Sequence, residues 1–137
     1  VCVLVVGMVV PMGMFSQETD IEKAKEIFPK MTEAIHQFAD RMDALSTPED
    51  FIQATSDYAQ TVEEYGKEEV KLLKAHQDWW DNMPPEIADV LNAYREAMSR
   101  YDPAVQIATR YANDHSEHEE VQKAMKRFAT ALYEKFK

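Results

Sequence analysis

Ile21, Ala24, Phe28, Met31, Ile35, Phe38, Met42 and Leu45 follow one another at steps of three and four. Apolar residues at that spacing share one face of an α-helix, whereas a strand would split them between two faces. Sustained over several heptads, the stripe reads as the seam of a helix packed against other helices. Pro29 falls inside it but off the seam, and is expected to kink the helix without ending it.

The same pattern recurs along the chain. Ser46-Thr47-Pro48-Glu49-Asp50 offers Thr47 as an N-cap, Pro48 as the first helical residue and acids in the first turn. A second helix then carries Phe51, Thr55, Tyr58, Val62, Tyr65, Leu72 and His76 on its seam. Asp81-Asn82-Met83-Pro84-Pro85 breaks it. A third carries Ile87, Leu91, Tyr94, Met98, Tyr101, Val105 and Ala108, with a kink or restart expected at Asp102-Pro103. After Asn113-Asp114-His115, the stretch Ser116-Glu117-His118-Glu119 reads as a capping box. It opens a fourth helix with Val121, Met125, Phe128, Leu132 and Phe136 on its seam.

Only three glycines occur, and Gly66 alone lies beyond the first sixteen residues. Such scarcity, with abundant Ala, Glu, Lys, Gln and Met, favours helix throughout. The fold expected is all-α, an antiparallel up-down-up-down four-helix bundle over 17–137 with helices near 18–45, 48–80, 85–112 and 116–136.

Residues 1–16 differ in kind. No charged residue occurs before Glu18, and Val, Leu, Met, Cys and Phe dominate. The run is short for a membrane span, which needs about 20 residues, and suits the apolar core of a secretory signal. Cleavage after Ser16 would leave Gln17 first. The absence of an initiating Met and of a basic leader implies residues upstream, so an uncleaved anchor stays open. The expectation is an exported protein, periplasmic or secreted, meeting a membrane only if the segment is retained. Cys2, the sole cysteine, would leave with that segment. A net charge of −10 argues against nucleic acid, because phosphate contacts need a basic face.

Several clusters invite chemistry. His115, His118 and Glu119 supply imidazole and carboxylate suited to a transition metal, but cap and dipole roles account for the same residues. Glu33-Ala-Ile-His36 has di-iron spacing in a single copy, and Glu33 falls on the outer side. Glu69 and His76 occupy seam positions where apolar residues are expected. They either fix register or bind something, unless the helix rotates to bury Val70 and Leu73 instead. Met31, Met42, Met98 and Met125 with Tyr58, Tyr65, Tyr94 and Tyr101 read as core. Trp79 and Trp80 cap a bundle end, where an exposed indole would anchor a protein partner. Nothing in the chain makes a recognisable catalytic set, so an enzyme is not expected. A helix hairpin with Met-rich seams is equally able to form a homodimer.

Helix order, the Pro84-Pro85 break, Met31 in Lys-Met-Thr-Glu-Ala-Ile and the closing Leu132-Tyr133-Glu-Lys-Phe-Lys together resemble the periplasmic b-type cytochrome four-helix bundle. The resemblance covers most of residues 17–137 and is chiefly architectural. It implies an exported bundle, and Met31 matches the family's haem-ligating Met, but Tyr133 stands where that family has its His. Asp20-Ile-Glu-Lys-Ala and Glu120-Val-Gln-Lys-Ala also resemble uncharacterised exported helical proteins of bacteria. The function these features support is binding or structural interaction without a cofactor, the alternative being a bundle that holds haem or a transition metal.

Overall fold

The computed structural model describes residues 17–137 with their side chains. The signal-segment reading of residues 1–16 lies outside the described residues. Four helices are present, α1 (Cys2–Asp43), α2 (Pro48–Ala75), α3 (Ala88–Asp114) and α4 (Glu119–Glu134), and the described residues contain no strand. Short 3-10 turns, Gln77–Trp80 and Pro85–Ile87, join α2 to α3. Among the described residues no helix is long and apolar enough to cross a membrane.

Local chemistry sets most boundaries. Thr47 caps α2 by accepting a hydrogen bond from the Asp50 N–H, and the Asp50 carboxylate accepts one from the Thr47 N–H, with Pro48 at the first helical position. The Thr47 cap is the one the sequence implied, and the bond returned to Asp50 makes it a capping box. At α4 the expectation is corrected. Its N-cap is His118, whose Nδ1 accepts from the Val121 N–H, while Ser116 and Glu117 lie in the preceding turn. Gln122 reaches back and donates to the carbonyls of Ala112 and His115 where α3 ends, as second donor beside the His115 and His118 N–H groups. Pro29 and Pro103 both sit inside unbroken helices, so no restart occurs at Asp102-Pro103. α2 stops at Ala75 instead of running to Trp80, and the 3-10 turn takes over.

Ion pairs and hydrogen bonds fix the packing order. Arg41 of α1 pairs with Asp57 of α2 at 2.6 Å, and His76 at the end of α2 meets Asp20 of α1 at 2.6 Å, so α1 and α2 run antiparallel. Arg100 of α3 reaches Asp40 of α1, and Phe28 packs on Tyr94, so α1 and α3 run in the same direction. Arg127 with Glu63, and Lys135 with Glu69, make α4 parallel to α2. α1 therefore lies between α2 and α3, and α4 lies against α2, while α3 and α4 touch far less.

The core follows the α1 stripe closely, with Ala24, Phe28, Met31, Ile35, Phe38 and Met42 all buried. On α3 and α4 Leu91, Tyr94, Val121 and Phe128 are buried as the seam requires, together with a row of alanines, Ala97, Ala104, Ala108, Ala112, Ala124 and Ala131. Other large residues expected on these seams lie further out. Val105, Met125 and Leu132 are half-buried, Met98 is exposed, and Phe136 is more exposed still. Small residues on the seam let helix axes approach, and the bulky neighbours close the sides. Aromatic side chains fill the centre: Phe38 packs with Tyr58 and Phe128, and Phe51 stacks on Tyr111.

Candidate functional site

Glu69 is the buried charge of this core. It stays on the seam of α2 with 1% of its side chain exposed, so the rotation that would have turned it outward does not occur. Its two oxygens explain why. Tyr94 Oη of α3 donates to Oε2, and Lys135 Nζ at the C-cap of α4 donates to Oε1 at 3.1 Å. A buried carboxylate is tolerable only when its lone pairs are filled and its charge is met. Lys135, itself only 12% exposed, supplies the charge.

Gly66 makes that reach possible. A Cβ built on Gly66 would stand 2.9 Å from Lys135 Cβ and 3.1 Å from Val62 Cγ1. The stem of Lys135 thus crosses α2 where a side chain has been left out, and its ammonium arrives one turn further on. A cleft of about 150 Å³, lined in part by Val62, Glu63, Ala131 and Lys135, opens beside this crossing.

Three tyrosines feel the same carboxylate. Burial, and then the charge of Glu69, pushes Tyr94 far above the ordinary phenol range. Tyr58 is pushed far up by burial, then by Tyr101 and Glu69. Tyr101 is pushed up to about 12 by burial, then by Glu69 and Asp102. All three remain neutral donors at any physiological pH. Among the described residues, Thr32 Oγ1 is the one buried side-chain nitrogen or oxygen without a partner.

His76, the second polar seam residue, caps the C-terminal end of α2, seven residues beyond Glu69. Its Nε2 faces Asp20 Oδ2, and its ring stacks on Trp79 at 3.9 Å. Trp79 is consequently 3% exposed, which corrects the expectation that it presents an indole to a partner. Trp80 is half-buried, packed near Tyr94 with the Arg95 guanidinium over its ring. The pair fastens the α2–α3 connection onto the core.

The structure does not gather the histidine cluster. His115 ends α3, its Nδ1 is 2.8 Å from the Tyr111 carbonyl and its ring stacks on Tyr111, whereas His118 Nδ1 serves as the α4 cap. Among the described residues no group of three or more His, Cys, Asp or Glu could hold a metal ion. His36 Nδ1 accepts from Arg100, and Glu33 accepts from Gln37 on an exposed face. Met31 is buried in the core and Tyr133 is exposed on the outside, with Lys137 over its ring, so the two do not fit a haem between them.

A cleft of about 200 Å³ lies between α1 and α2, floored by Phe38 and Tyr58 and rimmed by Arg41 and Asp57, and a larger hollow of about 530 Å³ is lined by Gln17, Ile21 and Lys25 of α1 with Glu86. The outer surface also carries large apolar side chains. The exposed large hydrophobic residues among those described are Met98, Tyr133 and Phe136, at 37%, 66% and 61%. Tyr94 and Lys135 flank one carboxylate, Met98 lies one turn beyond Tyr94, and Tyr133 and Phe136 bracket Lys135. The three therefore sit at one level of the bundle, Met98 on α3 and the other two at the end of α4. The apolar spacing puts Met98 and Phe136 on core seams; in the structure both are exposed. Comparison with protein-family models, with curated proteins and with solved structures finds no match.

Proposed function

We propose that this chain is the bundle-forming part of an exported protein, periplasmic or secreted, that acts by binding another protein and carries out no chemistry of its own. The antiparallel up-down-up-down bundle serves as a scaffold, and the apolar run at residues 1–16 as the export signal. One observation carries the binding reading: the exposed large hydrophobic residues Met98, Tyr133 and Phe136 lie at one level of the bundle while the charged seam residue Glu69 is satisfied internally. Aromatic and Met side chains exposed on an otherwise charged surface are what protein interfaces use as anchors.

The test is a photo-crosslinking residue placed at position 136 in the exporting cell, with a second at Gln60, which is exposed on α2 away from that level. A discrete adduct from 136 alone, recovered outside the cytoplasm with a chain beginning at Gln17, is expected. Equal labelling from both positions, or a chain retained in the cytoplasm, would overturn the reading. So would haem or a transition metal at about one per chain in the purified protein.

A further inference from the structure

We infer that the α3–α4 edge is the contact face of a symmetric homodimer, with α3 packing antiparallel against α3 of a second copy across a two-fold axis between Met98 and Ser99. The inference rests on the binding reading above and names the partner.

The outer face of α3 carries Arg95, Met98 and Asp102, all exposed. Arg95 and Asp102 are seven residues apart, which is two helical turns and about 10 Å along one face. Met98 lies between them. Neither charged end is paired within its own chain to an opposite charge: Arg95 donates to Asn92 and lies over Trp80, and Asp102 makes no ion pair among the described residues. The other arginines whose ion pairs are seen, Arg41, Arg100 and Arg127, each have a carboxylate partner in a neighbouring helix.

A two-fold axis relates residue i of one helix to the residue of the other for which the two numbers have a constant sum. With the axis between Met98 and Ser99, Arg95 of each copy falls opposite Asp102 of the other. Two ion pairs form, and the exposed Met98 side chains meet in the middle. Tyr133 and Phe136, at the same level on α4, border the contact and enlarge its apolar part. A parallel approach would set Arg95 against Arg95 and Asp102 against Asp102. The charge order along α3 thus selects the antiparallel, closed arrangement. Each copy bears a net charge of −10, which opposes association, but charges beyond about 8 Å are screened at physiological salt. The local pattern on α3 therefore governs the encounter.

Sedimentation equilibrium of the full chain tests this. A dimer is expected in the micromolar range. Arg95→Asp and Asp102→Arg each place like charges opposite one another twice, and each should weaken dimerisation about tenfold or more. Combining the two in one chain restores both pairs and should recover most of the loss. Met98→Glu should weaken it further, and circular dichroism of each variant checks that the helices persist. A chain that stays monomeric to ~0.1 mM, or a dimer indifferent to the single reversals, overturns the inference. So does a reversal pair that fails to rescue, or a monomer that binds anionic vesicles through Tyr133 and Phe136, which would give the edge to a lipid surface. An adduct at position 136 to a different protein, with a monomeric chain, would sink the dimer and keep the binding reading.

Discussion

Replacing Lys135 with Met removes the ammonium from Glu69 while keeping an unbranched stem across Gly66. At 3.1 Å and an effective dielectric constant near 20, the direct attraction is about 5 kcal/mol. Desolvating both groups offsets much of it in the wild type, so the pair as a whole contributes little net stability. The single substitution is different, because it leaves a carboxylate with 1% exposure facing only the Tyr94 hydroxyl. Breaking a buried pair on one side costs about 3–5 kcal/mol. For a domain of this size that lowers the melting temperature by roughly 10–20 °C. Removing the charge on both sides, with Glu69→Gln and Lys135→Met together, should recover most of the loss, since a neutral amide still accepts from Tyr94. Urea titrations of the wild type, both single variants and the double variant give the coupling energy directly. A Lys135→Met penalty below about 1 kcal/mol, or a coupling near zero, would show that the carboxylate does not depend on α4, and the account of this core would fail.

Gly66→Ala acts on the same crossing by geometry. The gain in helix propensity is about 1 kcal/mol, but the new Cβ meets Lys135 Cβ at 2.9 Å, near the α4 backbone, so net destabilisation by about 1–2 kcal/mol is expected in thermal melts. Thr47→Ala removes the α2 cap and should cost about 1 kcal/mol, read as a lower urea midpoint with unchanged slope. Tyr58 and Tyr94 ionise far higher in the folded chain than at their ordinary value near 10. Their raised folded-state values mean stability is intact below pH 10 and falls above it, by about 1.4 kcal/mol per pH unit for each tyrosine. Alkaline unfolding should therefore coincide with phenolate absorbance from these two residues, and phenolate appearing well before loss of helix would contradict their burial.

Those quantities trace back to residues of unequal legibility. The α1 seam and the Thr47 cap could be read from sequence because each depends on neighbours within a few positions. The place of Glu69 could not. Its fate turns on Lys135, 66 residues away, and on a missing side chain at Gly66. A buried acid and a rotated helix fit the local pattern equally well. The α4 cap was misplaced because Ser116 and His118 both offer acceptors, and only packing chooses between them. On α3 and α4 the stripe holds at Leu91, Tyr94, Ala108, Val121 and Phe128, but alanines beside it are buried too, and Met98 and Phe136 are left exposed. Hydrophobicity alone underweights alanine, whose value here is closeness of approach.

The packing order also bears on how the chain acquires its structure. α3 and α4 are joined by a short turn, yet each lies mainly against a member of the first hairpin, α3 on α1 and α4 on α2. The second hairpin therefore has little to hold it together before the first exists. α1 and α2 pair locally, at modest loop-closure cost, and then offer two faces on which α3 and α4 settle separately. On this packing order the α3–α4 edge is expected to form last, so substitutions along it should act mainly on the unfolding rate. That edge is also the cheapest one to reopen, so a partner approaching it meets the part of the molecule that yields first.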